Sequence, residues 1–593
     1  METQISIPVA SHGLHKHEIH CPTLTTHSFF DFFPVFHKKY RKGEKCDFDI
    51  SLFGRTNAFV EAAMCTGRYE IKKWFVPHRL VMPSWYDYDE KVKHVFKNGQ
   101  SGTVETDRYV THGELSTYFT SDEDLVSVAP NGNTNDIVFT LDGTMGSGQY
   151  TYFNFTPLGK KVYRILRSLG YSPSWYAGDR RKIQVLPILE YMKLYVDWIY
   201  PAAYANDSEV LNIRQLLEED TPNSLHVNAE DMLTCLKSCV QGYYNQSVFD
   251  FAFDNPVGPN VDIYNTSNRL YLTDITNPTV AASQTAVGFN ASNPQTPVIG
   301  SGSNPIQTSS YTKNISQYMI DGLQSINNYL RRHQLSGARL IERFYADRGE
   351  KLAAAIADRS LYLGEDIINL KVGDVENNSN ANDAPLGELA GKGVVTSKDM
   401  RINVNEEFSD DGYLFVTLMA IPDCPPILYD HPDIYAIAPE DHYKAQFDKL
   451  GAEAIPQSCI FASSNGVSNF QNGLGTFGFL NRYYGDTVNL GRLLGDFSVG
   501  SLSQQLAKYH GFRLFTTALI QQVGGLHHSV DFIDTKFDGS QFDRFFYSSK
   551  VDNLITLLWF DGVSYQNKLP LGDSYDWDDD EDNKRIKFEI DNG

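Results

Sequence analysis

The sequence predicts an all-β fold, antiparallel in its pairing and interrupted by long, partly helical insertions. Two observations point there. The 593 residues include 34 Tyr and 36 Phe, side chains that suit a pleated, half-buried surface. Period-two alternation occurs near both ends of the chain, and a helical period occurs between them. Hydrophobic residues make up 41% of the chain and charged residues 21%, which is enough apolar material to exclude global disorder.

Residues 1–45 read as an N-terminal arm. They are rich in His (12, 15, 17, 20, 27 and 37) and carry a basic cluster from His37 to Lys45. Phe48, Ile50 and Leu52 alternate with polar neighbours and predict a half-buried strand. Tyr69–Val76 predicts a second, stopped by Pro77, and Asp136–Leu141 a third, closed by the turn pair Asp142-Gly143. The period then changes. Thr156 is a helix cap with Pro157 in the first helical position. Val162, Ile165, Leu166 and Leu169 share one helical face, and Gly170 suits the C-terminal cap. Ile188, Leu189, Met192, Val196 and Ile199 form another stripe, ended near Pro201. From 244 to 318 the composition turns to Asn, Thr, Ser, Gly and Pro. A structureless loop of that length is rare within a compact domain, so a small β-rich surface excursion is expected.

Helical spacing resumes at Met319, Leu323, Ile326 and Leu330, then at Leu340, Phe344, Leu352 and Ile356. Ile402 and Val404 begin the second strand region. Tyr413–Ile421 is nearly continuous apolar, as a strand buried on both faces requires. Arg513–Ile520 and Leu554–Phe560 are the last apolar runs. Strands at both ends with insertions between them predict one domain, 46–593. It is expected to be an eight-stranded antiparallel jelly roll, whose sheets pair strands far apart in sequence. Long loops suit it, because closure entropy grows slowly with length.

The formal charge of −22 argues against a protein that binds nucleic acid by bulk charge. Seven scattered cysteines argue against a disulfide scaffold and for a reducing compartment. Cys235 and Cys239 share a helical spacing but lack a second ligand pair at zinc-finger distance. The start of the chain has no apolar leader, and no run approaches the ~18 apolar residues that span a bilayer, so a soluble protein is expected.

Gly143–Gly148 lacks the Lys-Ser/Thr of a phosphate loop, and neither HExxH nor GxSxG occurs. His12, His15, His17 and His20 read as part of a flexible polar arm, and His527-His528 does not single out a catalytic pair. Asp576, Asp578 and Asp580 lack the Gly and Glu of a calcium loop and read as a solvated tail. No catalytic residue, metal or cofactor is assigned.

Two basic groups stand out. Lys160, Lys161, Arg164, Arg167, Arg180, Arg181 and Lys182 are interleaved with Tyr163, Tyr171, Trp175 and Tyr176. Cations with stacking rings are how single-stranded nucleic acid is held. Arg331, Arg332, Arg339, Arg343 and Arg348 form a second group. A subunit interface or a solvated helix face would use the same residues.

Several stretches resemble the major capsid proteins of the microviruses (Microviridae, gokushovirus-like), small icosahedral phages with circular single-stranded DNA. Phe33-Pro34-Val35-Phe36, Gly43–Phe48 and Ser51–Arg55 are followed by Trp74–Leu80 and Trp85. They are similar in order to the family's "liPi" strand, "PGD" turn, "R" strand and "fFvPxRlxxxxW", with Lys42-Gly43-Glu44 replacing Pro-Gly-Asp. Leu186–Tyr191 with Trp198 resembles "LPfraYxxIwnxwf". Ser325–Asn327, Gly337–Arg339 and Leu363-Gly364 resemble "INxLRxAxxxQ…GtRYxE…EyLGG", with Gly337-Ala-Arg-Leu and Leu-Gly-Glu as departures. Gly387–Gly393, Phe415–Pro422 and Gly478–Tyr483 with Gly495–Phe497 complete the series, which weakens after about 525.

The resemblance implies a jelly-roll capsid subunit, not an enzyme, of which about 60 copies form a T=1 shell around single-stranded DNA. It implies a virion protein assembled in the host bacterial cytoplasm, without a membrane. Possible partners are a small basic DNA-binding protein and a minor spike or pilot protein. It also places a variable protrusion at 244–318, where a host receptor would bind. The reading of another class is a carbohydrate-binding or carbohydrate-active β-sandwich, for which the aromatic and acidic composition would serve, although no carboxylate pair is singled out. Charge is unevenly spread: 573–591 carries nine acids and three bases, 160–193 eight bases and two acids. An acidic particle with local basic patches is expected.

Overall fold

The computed structural model describes residues 14–57, 67–128, 138–141, 151–172, 179–200, 208–245, 287–290, 293–299, 358–376, 389–396, 402–422, 431–437, 441–445, 452–456, 476–481, 483–487, 534–536 and 552–567, with positions 325, 345, 348, 349 and 439. These residues are sheet-rich, and every ladder between their strands is antiparallel. The principal sheet uses nine strands: β1 (His15–His27), β2 (Phe33–Tyr40), β3 (Lys45–Thr56), β4 (Gly67–Pro77), β5 (Leu361–Glu376), β6 (Leu389–Thr396), β7 (Ile402–Glu407), β8 (Gly412–Pro422) and β9 (Leu554–Gln566).

The pairing is nested. β1 pairs with β9, β2 with β8, β3 with β7 and β4 with β5. Two further ladders, β9 on β3 and β8 on β4, bring these ribbons side by side. The result is the runs β1–β9–β3–β7 and β2–β8–β4–β5. They are joined where the far half of β5 pairs with β6, which itself reaches β3.

β3 alternates buried and exposed residues along its whole length, so one face of its sheet is wet. β8 is buried at every position, because both of its faces are covered. One face receives the helices of the segment between β4 and β5. These are α1 (His112–Ser121), α2 (Pro157–Ser168), α3 (Leu186–Leu194), α4 (Ser208–Glu218) and α5 (Ala229–Lys237). α2 packs on β2, and α3 packs on β4 and β8. Towards the other run, Phe36 of β2 stacks on Phe560 of β9 with centroids 4.8 Å apart and meets Phe48 of β3 at 5.2 Å. Offset and tilted rings at such distances add to the area they bury.

Most elements read from the sequence are present. The α2 signals hold in detail: Thr156 Oγ1 accepts the Gly159 N–H at 2.9 Å, Pro157 opens the helix, and Gly170 takes φ +87°. The third predicted strand is present at Val138–Leu141, and positions 136, 137 and its turn pair lie outside the described residues. So do Arg513–Ile520 and nearly all of the helices expected at 319–356.

The arm at 1–45 is corrected in part, since its described portion holds β1 and β2. β1 lies at the sheet edge and has only Ile19 and Leu24 as large apolar residues, so its pattern is faint. Its partner is 13 residues of β9 at the other end of the chain. β9 itself runs past Phe560, because Ser564 and Gln566 keep the buried alternation with polar side chains.

A second unit comprises Asn255–Glu350, and apart from single positions its described part is an antiparallel pair of strands, Val287–Asn290 with Asn293–Ile299. Most of 244–318 lies outside the described residues. Among the described residues no helix is long and apolar enough to cross a membrane.

Gly412, the first residue of β8, lies where a Cβ would come within 2.2 Å of the Val76 carbonyl oxygen. Backbone cannot yield there as a side chain could. Gly412→Ala is therefore expected to cost about 1–3 kcal/mol, read as a lower urea midpoint with an unchanged slope.

Candidate functional site

The seven basic residues singled out by the sequence fall into two settings. Lys160, Lys161, Arg164 and Arg167 lie on α2, whose Val162, Ile165 and Leu166 are buried. Lys161 and Arg164 are turned inward onto Asp31, a fully buried carboxylate in the corner between β1 and β2. Arg164 Nη2 donates to Asp31 Oδ2 at 2.6 Å, and Lys161 Nζ lies 3.0 Å from Oδ1. Arg164 Nη1 also donates to the Thr26 carbonyl at 2.8 Å, and its guanidinium lies 4.5 Å from the Phe33 ring centre. Asp31 in turn accepts the Ser28 N–H at 2.9 Å. Burial pushes its pKa up, but the two cations and the Ser28 amide outweigh burial and hold it below the usual carboxylate range. The charges of Lys161 and Arg164 are thus compensated within the chain.

Lys160 is half-buried and Arg167 exposed. The other three residues sit beside a two-stranded ladder, Lys182–Gln184 on Tyr109–Thr111. Arg180, Arg181 and Lys182 are exposed. Arg181 grips Asp179 and holds its carboxyl down at about 2. The Lys182 ammonium lies 4.1 Å from the centre of the Tyr109 ring. With Arg167, this edge makes up the exposed part of the predicted group, and it is where cations and a ring lie together. Of the interleaved aromatics, Tyr171 is buried and donates to the Gln184 carbonyl at 2.6 Å, so it braces the ladder. Trp175 and Tyr176 lie outside the described residues, as do Arg331, Arg332, Arg339 and Arg343, while Arg348 is exposed.

Sequence reasoning missed the buried polar groups. His78 and Glu190 meet at 2.5 Å with neither side chain exposed. Burial pushes Glu190 well above and His78 well below their ordinary values, which favours the neutral form of each. Arg108 is only 2% exposed. Its guanidinium donates to the carbonyls of Val81, Leu216, Leu217 and Ser224, closing the C-terminal end of α4. His94 lies 2.6 Å from Asp87 and 3.0 Å from Asp220, and these carboxylates raise its pKa against the effect of burial. No local motif marks these partners, which are 112 residues apart in the first case and 126 in the last. Among the described residues no group of three or more His, Cys, Asp or Glu could hold a metal ion. Cys235 and Cys239 are buried, and the Cys239 thiol donates to the Cys235 carbonyl at 3.4 Å.

A cavity of about 360 Å3 opens between β8 and β9 in sequence, lined by parts of 432–442, Glu453 and 483–486. It lies apart in sequence from every basic residue singled out above. No family model matches this chain, and no curated protein matches it.

Two outcomes are expected from this geometry. Removing one partner of a buried ion pair costs about 3–5 kcal/mol, whereas exposed positions change stability by about 0.5 or less. Arg164→Ala should therefore lower the urea midpoint far more than Arg167→Ala. The second concerns His27, fully buried with Nε2 3.0 Å from the Thr556 hydroxyl. Burial, then the Arg164 charge, pulls it down to about 4. A depressed base contributes stability above its unfolded value of about 6.5, and loses it as pH falls towards 4. Between pH 7 and pH 5 that loss is about 2 kcal/mol. His94 and Glu190, both raised, act in the opposite direction, so the measurement is the difference in pH dependence between the unchanged protein and His27→Gln.

Proposed function

We propose that the chain is a major capsid protein of the microvirus kind, a jelly-roll subunit that assembles about 60 copies into a shell around single-stranded DNA. The observation that carries the reading is the nested pairing. Leave out β6 and number the remaining eight strands along the chain. First then pairs with eighth, second with seventh, third with sixth and fourth with fifth. Wrapping such a ribbon gives the orders 1-8-3-6 and 2-7-4-5, which are the two Greek-key sheets of a jelly roll. The additional β6 extends the fifth strand as a hairpin.

The resembling motifs support the reading by where they fall. Phe33–Phe36 lies in β2, Ser51–Arg55 in β3, Trp74–Pro77 ends β4, Leu186–Tyr191 lies in α3, and Phe415–Pro422 lies in β8. The wet face of the β1–β9–β3 sheet supports it too. Leu24, Leu557 and Phe53 are cross-strand neighbours, with Pro22, Trp559 and Ser51 in the next outward row. Leu24, Phe53 and Trp559 are exposed. An apolar array on the solvent side of an alternating sheet suits a surface that is covered on assembly. In this reading the exposed edge at 180–182 offers the genome its phosphate contacts. The 244–318 segment is the protrusion for a host receptor.

The test is the assembly state. Purified from a bacterial lysate, the chain should sediment as particles of about 60 copies of a 66.9 kDa subunit, roughly 4 MDa, uniform and icosahedral under the electron microscope. A folded chain that stays monomeric at every protein and salt concentration would overturn the reading. In particles that form, Arg180→Glu with Lys182→Glu should lower the packaged DNA, seen in the ultraviolet absorbance ratio of nucleic acid to protein, without dispersing the shell.

A further inference from the structure

Between the one-turn helix at Trp85–Asp89 and α1 the chain forms a short hairpin, Lys93–Val95 on Ser101–Thr103. Its turn is closed by the Phe96 N–H on the Gln100 carbonyl at 2.9 Å and the Gly99 N–H on the Phe96 carbonyl at 2.8 Å. From Lys93 to Thr103 only His94 and Phe96 are buried. So little apolar anchorage leaves the seating of the hairpin to polar contacts, and a segment of this kind can open without the rest of the chain unfolding.

Those contacts centre on His94. Its Nδ1 lies 2.6 Å from Asp87 Oδ2, and its Nε2 lies 3.0 Å from Asp220 Oδ1 and 3.2 Å from Asp220 Oδ2. Asp87 belongs to the one-turn helix, and Asp220 follows the end of α4. One ring thus ties three pieces of chain together. The next hairpin residues add to the seat. The Lys97 N–H donates to Asp220 Oδ2 at 3.2 Å, and Lys97 Nζ donates to the Glu218 carbonyl at 2.8 Å. The Phe96 ring stands edge-on to the His94 ring, with centroids 4.9 Å apart.

A neutral imidazole has one N–H and one lone pair. In either tautomer one of the two carboxylates would face that lone pair, two acceptors with no proton between them. Only the imidazolium donates to both, and such charge-assisted bonds are the stronger kind. Burial opposes the charge, but the hydrogen bonds and charges of Asp87 and Asp220 outweigh it and raise the pKa. The cations nearby are engaged elsewhere or in water. Lys97 is turned to the Glu218 carbonyl, Lys93 is exposed, and Arg108, which also feels Glu219 and Asp220, donates to four carbonyls.

We infer that the His94 imidazolium is a proton-dependent clasp that holds the 93–103 hairpin against the end of α4, and that the hairpin is released as His94 loses its proton. Linkage gives the direction. For a raised base the clasp is complete below the ordinary histidine value of about 6.5 and is lost as pH rises through the higher value of the folded chain. Release takes the Lys97 bonds with it, because they sit on the same hairpin. The inference stands apart from the assembly reading and holds for a subunit or a particle.

The experiment is hydrogen exchange of the full chain read by mass spectrometry from about pH 6 to about pH 9, with each rate corrected for its intrinsic pH dependence. Protection of peptides within 91–104 should fall about tenfold for each unit by which the folded His94 value exceeds about 6.5. Peptides of β8 should hold theirs. Asp87→Asn gives Nδ1 an amide that can either donate or accept, so the neutral ring is satisfied and the loss should shrink. His94→Gln should make hairpin protection independent of pH. Constant hairpin protection in the unchanged chain across this range overturns the clasp, as does a loss shared equally by β8. A loss that persists undiminished in either variant overturns the assignment to His94. The first two outcomes are read on the unchanged chain alone and stand even if a variant fails to fold.

Discussion

The corner at residues 28–32 is where the fold is fixed. Within five residues the chain leaves β1, which belongs to one run of strands, and enters β2, which belongs to the other. Phe30 takes φ +62°, unusual for a bulky side chain, and Asp31 is buried completely. A lone carboxylate there would be costly to desolvate. It is charged because α2, inserted between β4 and β5, delivers Arg164 and Lys161 to it. Arg164 also reaches Asp552 at 3.4 Å, two residues before β9 begins. One guanidinium thus ties the first corner, an inserted helix and the approach to the last strand.

The remainder follows from which faces are wet. The β3 sheet can alternate because water covers one side, whereas the β8 sheet needs a roof, and α2 and α3 supply it. The segment between β4 and β5 is therefore part of the core, with its own buried polar locks at Arg108 and at His78–Glu190. Such locks cost stability unless every group is paired, so they select one arrangement of the helices over its alternatives.

Signals confined to a few neighbouring residues were legible in the sequence. The alternation at Phe48–Leu52, the apolar run at Tyr413–Ile421 and the Thr156-Pro157 start each declare an element through local sterics or local hydrogen bonds. Signals held by a distant partner were not. β1 reads as a polar arm because its pairing lies in β9. Lys161 and Arg164 read as cations for a ligand, since composition cannot show that an acid some 130 residues earlier waits beneath their helix. The cavity is assembled from three separate stretches between 432 and 486, none of which carries a recognisable pattern alone.

The ladder between β1 and β9 spans nearly the whole chain, with His27 opposite Leu554. A ribosome moving at roughly 5–20 residues per second makes these strands about half a minute to two minutes apart. Throughout that interval β3 also lacks one of its flanking neighbours, because β9 lies between it and β1. The outward apolar rows of Leu24, Leu557 and Phe53 form only when the last strand arrives. A nascent or truncated chain therefore cannot present the completed surface.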